Sequence, residues 1–340
     1  MSSACPFPHF VADINFLFYS IIEMVVKKII EINPQLVNSE NLDDNPGPFC
    51  MSFGFDLSIM LQSIKNIGMV NAPLLLEKGD GRLAIIAGYR RIQALKVLKW
   101  KKIPCRIFSE SQLSPLECLL LSLHDNLVTR QLNDVEKGMV LSRLASYLPK
   151  TTILEQYMPL LNLPSHESTL LVFQRLERKL DEKIKEYLAR GRLSLQAAKM
   201  ILEMDSEARS HVAHLIAKLK FNINQQKQFL DLLVDISFAN KQLVSEFLKE
   251  YPLEKMYSTD DCLNNPQKVK AALQFLRTKR FPSLLHAERN FKKAISNLTL
   301  PKGVRIDFPP FFEASSYRLE ISFNNGKELK KKMEVLTGNG

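Results

Sequence analysis

The stretch RLAIIAGYRRIQALKVLKWKKIPCR, residues 82–106, decides the fold of this chain. It contains eight Lys or Arg residues and no acidic residue. Residues 83–87 are a short apolar run, which predicts a buried strand. Gly88 predicts a turn, because glycine accepts a positive φ and a close backbone approach. Apolar residues then recur at helical spacing, so the predicted unit is a strand, a turn and a helix.

Arg90 and Arg91 fall in the first turn of this predicted helix, where the helix macrodipole disfavours cations. A bound phosphate would reverse that effect, because helix N–H groups and two guanidinium groups would converge on one anion. The alternative is that the arginines only cover a solvated face. A short glycine-containing motif is a weak signal, so this segment alone leaves both interpretations open.

Composition places the chain among soluble globular proteins with an anionic partner. Its 340 residues suit two or three domains, with 46% apolar and 24% charged residues. The formal net charge of +10 favours nucleic acid or a membrane surface as partner. Residues 267–340 carry 15 basic and 6 acidic residues, so the end of the chain is the strongest electrostatic candidate for binding a polyanion.

Several classes of protein are disfavoured by what the sequence lacks. The five cysteines are scattered and show no CxxC spacing, so a zinc site or a disulfide framework is not expected and a reducing compartment is. Residues 10–32 are apolar, but charged residues interrupt them before they reach the length of a membrane span. They also lack the features of a signal peptide. We therefore expect a cytoplasmic protein without a membrane partner.

The rest of the first half is predicted from its apolar periodicity. The predictions are strands at residues 29–32, 74–76 and 103–108, a loop at 33–48, and helices at 55–67, 115–123 and 135–148. The polar stretch HDNLVTRQLN, residues 124–133, separates two of these helices. It is either a place for chemistry or an ordinary connection between helices.

Two motifs resemble the ParB family of chromosome- and plasmid-partition proteins. GYRRIQA at residues 88–94 is similar to the GxRRxxA phosphate motif of that family. DNLVTRQLNDVE at residues 125–136 is similar to the family motif that begins with Glu-Asn. The two motifs stand in the family's order, which is more specific than either one alone.

The resemblance implies an α+β protein of several parts. These are a small mixed-sheet ParB/sulfiredoxin-like N-terminal domain, an all-helical middle domain with a degenerate helix-turn-helix, and a small C-terminal ββα unit of the dimerising kind. The corresponding ranges are residues 1–48 for an extension with the first strand, 49–148 for the nucleotide-binding domain, 149–257 for the helical domain, and 268–340 for the basic C-terminal domain.

The resemblance also implies CTP and Mg²⁺ as cofactors. The matching positions for CTP are Gly88, Tyr89, Arg90, Arg91, Asn126 and Arg130, and those for Mg²⁺ are Asp125 and Asn126. Asp125 replaces the family's Glu and remains a hard oxygen ligand. Thr129 stands where Arg is usual, and Tyr89 and Gln93 stand where Glu and Arg are common. Since these departures affect hydrolysis more than binding, the chain is expected to be at most a slow CTPase, with catalytic residues unknown.

DNA contacts are expected in two places. Residues 153–161, 162–166 and 168–180 form a helix-turn-helix candidate, in which the start of the second helix would approach base edges. The candidate DNA-binding residues there are Ser165, His166, Ser168, Thr169, Arg175 and Arg178. Glu167 and a net charge near zero favour the alternative, a helical packing domain without specific reading.

The end of the chain, SYRLEISFNNGKELKKKMEVL at residues 316–336, resembles the family's dimerising strand–strand–helix unit. Strands are predicted at residues 303–308 and 317–323 and a helix at 327–336. Lys330 and Lys331 would bind phosphates of DNA there; the alternative is a solvated helix face.

The function implied by the resemblance is that of a dimeric DNA clamp, dependent on CTP and Mg²⁺, in chromosome or plasmid partition. A partition ATPase is a further expected partner, with localisation on a nucleoid or plasmid. One alternative is a nucleotide-independent transcription regulator or plasmid-maintenance adaptor with the same fold. A second is a nuclease or small-molecule kinase of the ParB/sulfiredoxin superfamily. Sulfiredoxin chemistry is disfavoured, because Tyr89 and Arg90 occupy the turn where it needs a cysteine.

Overall fold

The computed structural model describes residues 32–42, 45–254, 264–298, 300–309 and 316–338, apart from the side chain of Leu285. The chain divides into two compact units, Met1–Lys218 and Leu219–Gly340. The first unit contains a mixed sheet and helices, and the second is helical with one small hairpin.

The first unit is built on a four-stranded sheet in the order β1-β4-β2-β3. Its strands are β1 (Gln35–Asn38), β2 (Leu74–Glu77), β3 (Leu83–Ala87) and β4 (Lys102–Ser109). β2 pairs antiparallel with β3 and parallel with β4, and β1 pairs antiparallel with β4. The predicted small mixed sheet is therefore confirmed. The helices interspersed with these strands or directly following them are α1 (Ser58–Ile67), α2 (Tyr89–Val97), α3 (Pro115–Thr129) and α4 (Asp134–Leu144).

Helices make up the remainder of the first unit. A helix here called α5 consists of the consecutive segments Lys150–Thr152, Ile153–Tyr157 and Met158–Leu160, the middle one with π-helical hydrogen bonding. After it come α6 (Glu167–Lys179), α7 (Glu182–Ala189), α8 (Leu195–Leu202) and α9 (Ser206–Leu219). The largely helical remainder agrees with the predicted fold class.

The second unit contains α10 (Ile223–Asn240), α11 (Val244–Glu250), α12 (Asn265–Arg280), α13 (Pro282–Ser296), β5 (Val304–Asp307), β6 (Arg318–Ile321) and α14 (Gly326–Leu336). β5 and β6 pair antiparallel as a two-stranded sheet. The predicted strands and the final helix of this region therefore lie within one or a few residues of the observed elements.

The first strand lies outside the range predicted for it. β1 is at Gln35–Asn38, inside the predicted loop 33–48, whereas Ile32 precedes it and residues 29–31 lie outside the described ranges. β1 is an edge strand in which only Val37 is buried. A strand with one buried side chain has no apolar run in its sequence, and pairing with β4 decides its position.

α3 continues through most of the stretch that the sequence predicts as a polar loop. It begins with a capping box between Ser114 and Glu117 and ends at Thr129 rather than at residue 123. Polar side chains in its last turns have partners on neighbouring segments: Asp125 accepts from Arg91, and Asn126 accepts from Arg130. Tertiary hydrogen bonds therefore allow a helix to continue where polarity alone predicts a break.

Apolar side chains cover both faces of the sheet. On one face α1 and α2 contribute Ile64, Ile92 and Leu95 to a buried cluster. On the other face the cluster includes Leu123 of α3 and continues without a break into α5 and α6, where Phe173 is buried. Packing therefore does not separate residues 49–148 from residues 149–218, and the four-part division of the chain stays a prediction.

Two further observations concern the membrane and the cysteines. Among the described residues, no helix has the length and apolar character that crossing a membrane requires. Cys50, Cys105 and Cys118 are buried free thiols. Burial raises the pKa of Cys105 and of Cys118 to about 12, so neither thiol ionises readily near neutral pH.

The end of α10 offers a test of backbone strain. Lys241 follows the helix with φ 52° and ψ 40°, in the left-handed region that glycine adopts without a Cβ clash. We expect Lys241→Gly to raise the free energy of unfolding by about 0.5 kcal/mol, after the greater freedom of glycine in the unfolded chain is subtracted. Urea denaturation measures this. Lys241→Ala is the control and should give no gain, since it keeps the Cβ; equal stability of the two variants would contradict the assignment.

Candidate functional site

A cavity of about 520 Å³ lies where the turn before α2 meets the end of α3. Its volume falls within the range of about 300–1,000 Å³ that is usual for small-molecule sites. All the residues predicted to bind nucleotide or metal line it: Gly88, Tyr89, Arg90, Arg91, Asp125, Asn126 and Arg130. The fold thus brings the two sequence motifs to one place.

The turn at Gly88 requires glycine. Its φ is 92°, and a Cβ added there would lie 3.1 Å from the Cα of Pro73 and 3.1 Å from Nε of Arg91. α2 begins directly after this turn, and no side chain caps its first turn. A helix N-terminus without a side-chain cap therefore lines the cavity, and such a terminus favours an anion.

Glu136, at the start of α4, holds arginines from both motifs. Its carboxylate is fully buried. Oε1 accepts hydrogen bonds from Nη2 of Arg90 at 2.7 Å and from the backbone N–H of Phe53 at 3.0 Å. Oε2 accepts from Nη1 of Arg130 at 2.5 Å and from the N–H of Asn133 at 3.0 Å. One buried carboxylate therefore fixes two guanidinium groups beside the cavity.

Residues before α1 also contact Arg90 and Arg130. The Ser52 hydroxyl accepts from Nε of Arg90 at 3.2 Å, and the Met51 carbonyl accepts from Nη2 of Arg130 at 3.0 Å. The Arg90 guanidinium also lies 4.8 Å from the centre of the Phe55 ring. Burial, together with the nearby Arg130 charge, lowers the pKa of Arg90 from its ordinary value, although Glu136 opposes this. Both arginines are held by several partners and are thus preorganised.

The side-chain oxygens of Asp125 and Asn126, near the end of α3, accept hydrogen bonds from Arg91 and Arg130. Oδ2 of Asp125 accepts from Nη2 of Arg91 at 2.6 Å, and Nη1 of Arg91 donates to the carbonyl of Asn71 at 3.0 Å. Oδ1 of Asn126 accepts from Nε of Arg130 at 2.9 Å. Within the described residues, no group of three or more His, Cys, Asp or Glu side chains is placed to hold a metal ion. One carboxylate and one amide oxygen still fit Mg²⁺, which takes few protein ligands when phosphates complete its shell.

Two residues of this site are missing from the sequence-based site prediction. Glu136 is the last residue of the second motif, where it also forms a capping box with Asn133. The capping box alone accounts for a glutamate at this position, so the sequence gives no sign that Glu136 also contacts Arg90. Ser52 has no sequence signal, because its importance comes from side chains 38 and 78 residues away.

The predicted DNA-reading residues lie just before α6 and along it. Ser165 and His166 are exposed just before this helix, and Ser168 and Thr169 lie in its first turn. Further along, Arg178 is exposed. Arg175 forms an ion pair of 2.8 Å with Glu203, which offsets its charge. The DNA contacts of these residues stay predictions.

The start of α6 also carries an acidic group. Glu167 forms an exposed ion pair of 2.7 Å with Lys150 of α5.

In the second unit, Lys330 and Lys331 are exposed on α14.

α6 packs closely against α4, the helix that carries Glu136. At Gly138 of α4, an added Cβ would lie 2.7 Å from the carbonyl oxygen of Phe173 and 3.2 Å from Cβ of Glu177. The backbones of the two helices thus touch where α4 has no side chain. This contact joins the helix that carries Glu136, the partner of Arg90 and Arg130, to the predicted recognition helix.

Comparisons with known proteins agree with the motifs. Residues 30–124 match the model of the family described as ParB N-terminal domain. A nucleoid occlusion protein of Halalkalibacterium halodurans is 26% identical over 206 residues, 59% of this chain and 66% of that protein. A probable chromosome-partitioning protein ParB of Campylobacter jejuni is 26% identical over 212 residues, 60% of this chain and 72% of that protein. The match to the first of these spans just under two thirds of its length.

Among solved structures, a C-terminally truncated ParB of Caulobacter crescentus complexed with CTP-gamma-S is similar over 54% of this chain and 98% of that one. The sequence identity is 21% and the TM-score is 0.25.

Proposed function

Since residues 30–124 match the family model of the ParB N-terminal domain, we propose that this protein is a DNA-associated ParB-like protein that binds CTP with Mg²⁺ in the cavity at the start of α2. The observation that supports this most is the convergence of Arg90, Arg91 and Arg130 with a helix N-terminus on one cavity. Three cations and helix N–H groups that no side chain caps suit a triphosphate better than any neutral ligand.

Each residue has a distinct role in this proposal. Gly88 lets the backbone approach a phosphate group, and Arg90 and Arg130 provide charge fixed by Glu136. Arg91 must exchange its partner, because Asp125 now accepts one of its hydrogen bonds. A phosphate that takes Arg91 would release the Asp125 carboxylate. Magnesium, when bound, supplies positive charge to the phosphate oxygens, and Asp125 and Asn126 would hold it.

Nucleotide would act by favouring one of two states of the protein, which requires unequal affinity for them. α4 carries Glu136, which pairs with the cavity residues Arg90 and Arg130, and it packs against α6 at Gly138, so a shift of Glu136 would reach the predicted recognition helix. We propose that DNA affinity at α6 responds to nucleotide in this way. Chromosome partition or nucleoid occlusion, the roles named for the relatives, is the proposed cellular role.

We propose that the hairpin and final helix of the second unit pair with a second copy of the chain. α14 buries none of its side chains, and large apolar side chains of this region are about half exposed: Tyr317, Leu319, Phe323, Met333 and Val335. A two-stranded sheet with one helix rarely buries enough apolar surface to be stable alone. Homodimer formation would cover these side chains. A partition ATPase stays a predicted further partner.

A second candidate function is favoured by one observation. Asp125 and Asn126 already accept hydrogen bonds from Arg91 and Arg130, so the charges of the site are paired without a ligand. A DNA-binding regulator that does not use nucleotide would show this arrangement permanently. DNA binding that persists unchanged when CTP binding is absent would select this candidate.

Arg91→Ala tests the proposed site. Arg91 is the better target than Arg90, because Arg90 also neutralises the buried carboxylate of Glu136. A hydrogen bond to a charged group contributes about 1.5–3 kcal/mol, so we expect CTP affinity to fall by about 10- to 100-fold. Calorimetric titration in Mg²⁺ measures the change.

Arg82→Ala is the matched control for this variant. Arg82 lies on the same chain segment, pairs with Asp80 in an exposed position, and does not line the cavity. It should leave CTP affinity unchanged. Wild-type affinity in Arg91→Ala would refute the assignment of the cavity.

A further inference from the structure

Part of the basic stretch lies away from the cavity. Lys99, Lys101 and Lys102 flank Trp100 at the connection between α2 and β4, and none of these residues lines the cavity. All three lysines are exposed. Trp100 is 36% exposed and is the single tryptophan of the chain. An aromatic side chain between cations at the surface is unexplained by the nucleotide site.

Backbone hydrogen bonds hold this connection at both ends. The N–H of Trp100 donates to the carbonyl of Leu95 in α2 at 3.0 Å, with Lys99 in the left-handed region at φ 59°. The carbonyl of Lys101 accepts from the N–H of Ser39, which follows β1, at 2.9 Å. The ring and the ammonium groups are therefore presented from an ordered turn.

The charge of this turn is only partly explained by the helix. A lysine just after a helix C-terminus stabilises it through the macrodipole, which accounts for Lys99. Lys101 and Lys102 lie beyond the helix, and none of the three lysines forms an ion pair within the part of the chain that is described. Glu40, exposed after β1, offsets at most one of them. The turn thus keeps a positive surface around a partly exposed ring.

We propose that Trp100, Lys99, Lys101 and Lys102 form a sequence-independent contact for single-stranded nucleic acid. The indole would stack on one unpaired base, and the ammonium groups would bind the flanking phosphates. Aromatic rings combined with cations are the usual means of binding single strands without reading bases, because every base has a π-face. Bases of a duplex are already stacked on one another and offer no free face. This contact does not depend on nucleotide in the cavity.

An anionic membrane is the rival partner, since tryptophan and lysine also gather at bilayer surfaces. Interfacial binding by a helix needs an apolar face that enters the bilayer. α2 instead buries its apolar residues Ile92, Ala94 and Leu95 in the core of the unit. The structure therefore favours a nucleic acid strand.

The test follows the emission of Trp100 in the full chain while a twelve-residue oligothymidylate is added. Because the chain has one tryptophan, the signal reports this turn even if DNA binds elsewhere. We expect quenching that saturates, with affinity that falls as salt rises. The triple variant Lys99→Ala, Lys101→Ala, Lys102→Ala should weaken binding at least tenfold and reduce the salt slope by about 2, as three phosphate contacts on a single strand require.

Controls separate stacking from charge. The triple variant Lys65→Ala, Lys218→Ala, Lys249→Ala removes the same charge from other exposed positions and should bind normally. In anisotropy measurements with labelled oligothymidylate and excess duplex, Trp100→Phe should bind within a few-fold of wild type and Trp100→Ala about tenfold more weakly. Circular dichroism verifies that each variant is folded.

Three results would overturn the proposal. The first is unchanged Trp100 emission at saturating oligothymidylate. The second is quenching by heparin, which has charge but no bases, as strong as that by oligothymidylate. The third is a loss of binding in the control triple variant as large as in the variant of Lys99, Lys101 and Lys102. A blue shift with anionic phosphatidylserine vesicles and no response to oligothymidylate would assign the surface to a membrane instead.

Discussion

Glu136→Ala is expected to lower the free energy of unfolding by about 3–5 kcal/mol, the usual cost of removing one partner from a buried ion pair. The carboxylate is fully buried and accepts hydrogen bonds from Arg90, Arg130 and two backbone N–H groups. Without it, two largely buried guanidinium groups lose their counter-charge. The same change should weaken CTP binding, because both arginines would lose the shared carboxylate that fixes them beside the cavity.

Two variants make this result specific. Glu136→Gln keeps the size of the side chain but lacks the charge, and its NH₂ group cannot accept from an arginine, so an intermediate loss is expected. Glu182→Ala removes an exposed carboxylate that pairs with Lys185 and should cost less than 1 kcal/mol. Urea denaturation followed by far-ultraviolet circular dichroism measures all three. A loss below 1 kcal/mol in Glu136→Ala would mean that this network does not stabilise the unit.

Gly138→Ala is expected to have the second largest effect. The new methyl carbon would lie 2.7 Å from the carbonyl oxygen of Phe173, a distance that backbone movement must relieve. Overpacking of this kind costs about 1–3 kcal/mol. Since α6 is the predicted recognition helix, its displacement from α4 should also weaken DNA binding and its response to CTP.

Gly47→Ala is the matched control for this substitution. An added Cβ at Gly47 meets nothing within 4 Å, and the residue does not need a positive φ. Thermal unfolding and DNA anisotropy should be close to wild type in Gly47→Ala and reduced in Gly138→Ala. A Gly138→Ala protein with the wild-type melting temperature and DNA affinity would show that α4 and α6 are not tightly coupled.

The sequence predicts the central unit of the fold well, because its signals are local. Residues 83–87 are an apolar run that ends at a glycine, and β3 spans those residues. α2 follows at once with its two arginines in the first turn. The edge strand β1 is predicted in the wrong place, because only Val37 of its residues is buried. Its position depends on pairing with β4, which lies more than 60 residues later in the sequence.

The candidate site is predictable to the extent that its residues belong to motifs. Arg90, Arg91, Asp125 and Asn126 stand in two short patterns, and the fold places them together. The buried role of Glu136 depends on contacts across the fold, which no local pattern encodes. For the same reason the continuation of α3 to Thr129 is missed, because it depends on hydrogen bonds to arginines elsewhere in the sequence.

The most direct test of nucleotide binding in this cavity is calorimetric titration of the full chain with CTP, ATP and GTP. Each titration is made with Mg²⁺ and again with the metal chelated. The proposed function predicts one CTP bound per chain, a lower affinity for ATP and GTP, and weaker CTP binding without Mg²⁺. Absence of binding to every nucleotide would contradict it, and would leave Arg91 paired with Asp125 as a permanent structural contact in a DNA-binding protein that works without nucleotide.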